Sequence, residues 1–152
     1  MRMLATAALV ALAGCTTGGP PRSDLSVTMT GLQEVPGPGD SDGTGIATLR
    51  AEPANERICW RLYANGIDAA TAAHIHRGAE GSAGPPVVPL TPPAAGGRSE
   101  GCAPVAPALA RELSLQPHRF YVNVHTAAFP GGAIRGQLRG GASPERRVPT
   151  TR

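Results

Sequence analysis

A chain of 152 residues has room for one domain of ordinary size and no comfortable second one. All 14 basic residues are Arg, the formal charge is only +3 and aromatics make up 3%, which excludes the basic surface interleaved with stacking rings that nucleic acid requires. With 20 Gly and 16 Pro interrupting the sequence every few residues, short strands joined by turns are expected and long helices are not.

The chain opens with a positive Met1-Arg2-Met3 and an apolar run over residues 4–12, the length of a signal peptide and far below the ~20 residues that span a bilayer. The run ends in Leu12-Ala13-Gly14-Cys15, which resembles the lipobox of bacterial lipoproteins; an ordinary secretory signal with an incidental Cys is the alternative. The resemblance implies a signal peptide at 1–14, lipidation of Cys15, and attachment to a membrane through acyl chains. Thr16 in place of Asp resembles the sorting signal for the outer membrane of a diderm bacterium. Residues 15–23, with Gly-Gly-Pro-Pro, read as a flexible tether, 24–140 as the folded domain and 141–152 as a disordered tail. An extracytoplasmic domain faces an oxidising compartment, so Cys59 and Cys102 are expected to pair; a reactive or metal-bound thiol is the competing reading.

Within the domain, Leu25, Val27 and Met29 alternate with polar residues over a first strand at 25–30. Residues 35–43 form a long loop whose Asp40 and Asp42 lack the partners of a calcium loop and read as solvated turn residues. Strands follow at 45–50 and 58–63, the second burying Ile58, Trp60 and Leu62 and turning Cys59 outward. Cys102 falls in a Gly-rich segment, 96–104, so the disulfide is expected to pin a loop across an outer face. Asn65-Gly66 marks a turn, and residues 105–115 carry the one hint of helical spacing, at Leu109, Leu113 and Ala106.

The segment 120–138 governs the rest. Phe120, Val122, Val124 and Thr126 alternate with Tyr121, Asn123 and His125, and after Pro130-Gly131-Gly132 the alternation resumes with Ile134, Gly136 and Leu138 opposite Arg135, Gln137 and Arg139. This predicts a β-hairpin whose outer face carries His125 and Arg135; with Pro130 at the centre of the turn, those two residues would stand at matching positions. Upstream, Ala73-His74-Ile75-His76 places two more imidazoles on one outer face. His74, His76 and His125 are therefore a candidate metal set, with Asn123 and Arg135 beside them; neutral imidazoles suit copper or zinc. Surface histidines bonded to loops are the competing reading. His118 lies outside the pattern, and no zincin, serine-hydrolase or P-loop signature is present.

Residues 71–90 (TAAHIHRGAEGSAGPPVVPL) and 120–138 (FYVNVHTAAFPGGAIRGQL) resemble the two signature blocks of the CHRD domain, found in chordin and singly in bacterial secreted proteins and lipoproteins. The resemblance spans Leu25 to about Arg139 and implies an all-β fold, an immunoglobulin-like antiparallel β-sandwich, with little said about activity. A weaker similarity is to copper-zinc superoxide dismutase, also a Greek-key β-sandwich, in which His74, His76, His125 and Arg135 would take the places of copper ligands and a nearby Arg. Between Gly78 and Arg98 there is neither His nor Asp, so no zinc site or bridging imidazole is implied. Two readings of function follow: a non-catalytic, membrane-tethered module that binds a protein or envelope partner, and a copper-binding protein using the three histidines.

Overall fold

In the computed structural model, which describes residues 23–94 and 97–140, the alternating stretches become one nine-stranded sheet folded into two layers with their apolar rows face to face. The first layer holds β1 (Ser23–Thr30), β2 (Thr44–Glu52), β3 (Arg57–Asn65) and β6 (Arg98–Pro104). The second holds β4 (Ala70–Arg77), β5 (Pro86–Leu90), β7 (Phe120–Thr126) and β8 (Ile134–Gln137). The hydrogen-bonded path runs β5-β4-β7-β8-β1-β2-β3-β6, every pairing is antiparallel, and the short β9 (Arg139–Gly140) pairs with β1. Strands β3 to β6 lie in the spatial order 3-6-5-4, a Greek key whose β5 and β6 approach without joining the ladder. The all-β sandwich expected from the sequence is the observed fold.

Leu25 and Met29 of β1, Leu49 of β2, Ile58, Trp60 and Leu62 of β3, and Ile75, Val88, Phe120, Val122, Val124, Ile134 and Leu138 opposite them form the core. Fully burying a side chain of this kind stabilises by roughly 1.5–3 kcal/mol. The α-helix α1 (Pro107–Leu115) covers the end of the sandwich with Ala110 and Leu113 buried and Leu109 partly so; Ala106 is exposed and lies before the helix. Glu112 of α1 is ion-paired with Arg77 of β4. Asn65-Gly66 does turn the chain after β3.

Two expectations change in the fold. Cys102 lies in a strand, β6, directly opposite Cys59 of β3, so the disulfide staples neighbouring strands and pins no loop. Gly101 hides that strand from sequence reading: a Cβ there would stand 2.7 Å from Cζ2 of Trp60, so only glycine lets β6 lie over the indole. The hairpin turn is centred one residue early. Asn123, and not His125, pairs with Arg135, because the turn closes around Phe129, whose carbonyl accepts from Thr126 and Gly132. The segments read as signal peptide, tether and tail, with Cys15, lie outside the described residues apart from Ser23, which opens β1.

Candidate metal centre

Period-two geometry puts His74 and His76 on one face of β4 while Ile75, fully buried, points into the core. Strand β7 lies alongside in antiparallel register, with Ala72 opposite His125, His74 opposite Asn123, and His76 opposite Tyr121. Beyond it, β8 sets Arg135 against Asn123 and Gln137 against Tyr121. The predicted convergence therefore occurs: one potential ligand nitrogen from each of His74, His76 and His125 lies within 4.8 Å of the others. Nitrogens about 2 Å from a common ion stand roughly 3.4 Å apart in tetrahedral geometry, so small side-chain rotations would complete the site.

Hydrogen bonds select the nitrogens. His76 Nδ1 lies 2.8 Å from the Gly84 carbonyl and His125 Nδ1 lies 2.9 Å from the Pro130 carbonyl. A carbonyl only accepts, so both Nδ1 atoms carry the proton and both Nε2 atoms keep a lone pair free for a metal ion. His76 Nε2 is buried without a hydrogen-bond partner among the described residues. His74 Nδ1 lies 3.2 Å from His125 Nε2, and by elimination donates to it. A metal ion would replace that one shared proton. Burial, reinforced by the charges of His125 and His76, pushes the His74 pKa down. Burial likewise lowers that of His76, with His125 and Arg135 adding to it and the Gly84 hydrogen bond opposing. Both shifts favour the neutral imidazole, the ligating form.

The outer face expected for these residues is not open. Asn123 is 3% exposed, Arg135 2% and His76 8%, while His74 and His125 are half-buried. Alternation fixes which side of a strand a residue occupies, but not whether another segment covers that side. Here segment 78–85 folds back over it. Arg135 Nη2 donates to the carbonyls of Ala79 and Ser82, Gln137 Nε2 to those of Gly78, His118 and Phe120, and the Tyr121 hydroxyl to that of Gly84. Tyr121, not singled out from the sequence, stacks on the His76 ring at 4.8 Å, and the Arg135 guanidinium lies 3.5 Å over the Tyr121 ring. Its only sequence signal was sharing a face with Asn123 and His125.

Glu34 was also missed. It is 6% exposed, packs against Gly39 and Gly132, and has its pKa pushed up to about 7 by burial, with Arg135 pulling the other way. The disulfide residues stand apart from this site, Cys59 half-buried and Cys102 exposed in the other layer. A shallow depression of 490 Å³ on that layer is also remote from the histidines, and its Arg50 and Arg57 are paired with Asp24 and Glu52.

Comparison with curated proteins and with solved structures gives no match. A family model does match: the CHRD domain, over residues 25–138, from the first core residue of β1 to the buried Leu138. The match spans both sequence blocks, the paired strands that carry the histidines, and the disulfide. The chain belongs to the CHRD-domain family.

Proposed function

We propose that this CHRD-domain chain is an extracytoplasmic copper-binding protein, tethered to a membrane through Cys15, with a role in copper storage, delivery or redox chemistry. The convergence of His74, His76 and His125, with two Nε2 lone pairs fixed by backbone carbonyls, carries the reading. Three imidazoles without a carboxylate or thiolate suit copper. Arg135, Gln137 and Tyr121 hold the covering segment in place over the ligand face. The ion, when bound, would supply Lewis-acid or one-electron chemistry; the protein supplies three oriented donors and a partly dry site.

The test is metal analysis of protein purified from the membrane fraction, followed by copper titration of wild type and His76→Ala. Copper is expected to co-purify and to saturate the wild type, with uptake lost in the variant. Equal uptake by both proteins would leave the histidines as structural residues and the chain as a module for a protein or envelope partner.

The tether rests on the Leu-Ala-Gly-Cys ending of the apolar run. Among the described residues no helix is long and apolar enough to cross a bilayer. The proposed attachment is through acyl chains, each buried methylene contributing ~0.8 kcal/mol. Thr16 favours the outer membrane of a diderm cell as the destination.

A further inference from the structure

Resting on the copper reading, we infer that Arg135 sets the ionic charge the three-histidine site accepts, selecting singly charged copper over doubly charged ions of similar coordination. The donor set is neutral, and among the described residues no Asp, Glu or Cys joins the cluster. A bound ion therefore keeps its full charge. Close by lies a second positive charge that cannot leave. Arg135 is 2% exposed, its Nη2 is fixed on the carbonyls of Ala79 and Ser82, and its Nη1 has no hydrogen-bond partner among the described residues.

The guanidinium field reaches the site. Arg135 lies 3.5 Å over the Tyr121 ring, which in turn stacks on the His76 ring at a centroid distance of 4.8 Å, so one aromatic layer separates the fixed positive charge from a ligand imidazole. A fixed positive charge at that separation repels a metal ion held by His76, and repels a doubly charged ion twice as much. At roughly 10 Å and an effective dielectric constant of about 20, each unit of ionic charge weakens binding by roughly twentyfold. The donors alone would accept either charge, because imidazole suits copper and zinc alike.

Compensation for Arg135 is incomplete. The acid that interacts with it is Glu34, which is buried, forms no ion pair with it within 4.0 Å, and packs against the glycines of its own loop and of the β7–β8 turn. With its pKa pushed up to about 7, Glu34 is only partly ionised at neutral pH and nearly fully at pH 8.

The experiment measures Cu(I) affinity anaerobically against a colorimetric chelator, and Zn(II) affinity against a chelating dye, for wild type, Arg135→Met, Arg135→Lys and Glu34→Gln at pH 8. Zn(II) is the redox-inert doubly charged probe. Wild type is expected to prefer Cu(I). Arg135→Met should strengthen both ions but lower the Cu(I)-over-Zn(II) ratio roughly twentyfold, whereas Arg135→Lys keeps the ratio. Glu34→Gln, which keeps every hydrogen bond of Arg135, should move the ratio severalfold the other way, and it decides the matter if Arg135→Met does not fold. An unchanged ratio in the folded variants overturns the inference while His76-dependent uptake leaves the copper reading standing. Wild type that binds neither ion overturns both.

Discussion

Glu34 shows how much one side chain can hide. In Gln33-Glu34-Val35-Pro36 it reads as a solvated loop carboxylate, yet it lies 6% exposed with its pKa raised from 4.5 to about 7. The folded state thus holds the proton more tightly than the unfolded chain. Its contribution is most favourable below about pH 4.5, declines as pH rises towards 7, and levels off above. Glu34→Gln should therefore stabilise the protein at pH 8, on the order of 2 kcal/mol, and change little at pH 4. Urea denaturation at the two pH values checks this; equal effects at both would place the carboxyl in water. The histidines were legible by contrast, because H-x-H parity around a core Ile75 leaves one choice of face. Tyr121 and Asn123 were legible as to side but not as to burial, which depends on segment 78–85, whose carbonyls accept hydrogen bonds from the distant Tyr121 and Arg135 side chains.

The strands that alternate cleanly, β1, β2, β3 and β7, were read within a few residues of their ends, and their inward residues are the core. The strands that were missed are those whose sequence contradicts strand propensity. β5 carries Pro86 and Pro89, tolerated because it ends the hydrogen-bonded path, and β6 carries Gly101 for the sake of Trp60. The error in the hairpin was one of register: three turn-forming residues, Pro130-Gly131-Gly132, point to a turn without locating its centre. At this scale the disulfide is the strongest local tie, joining β3 to β6 across a sequence separation of 43. Replacing both cysteines by Ala should lower stability by about 4 kcal/mol on the chain-entropy model. Chemical denaturation of the double variant, with thiol titration of the unreduced wild type, is the check; free thiols in the latter would exclude the bond.

Across the whole molecule, the two layers share one hydrogen-bonded path because β8 meets β1 at Thr30 and Arg135, and Gly136 permits the approach, since a Cβ there would collide with the carbonyl of Thr28. Gly136→Ala should therefore weaken the seam between the layers and lower the thermal midpoint more than an alanine at the open Gly131. For the tether, Cys15→Ala should move the protein out of the membrane fraction or stall its processing, and fractionation of the two forms decides it. The seam also fixes the order of events in the life of the chain. β1, the first of the described strands, finds partners in β8 and β9, the last two of them, so the sandwich cannot close until about residue 140 has emerged. Contacts between the two ends of a chain are slow to form and cannot be anticipated by local structure. The seam between the two layers therefore stays open until β8 and β9 have been made, and the sandwich closes only then.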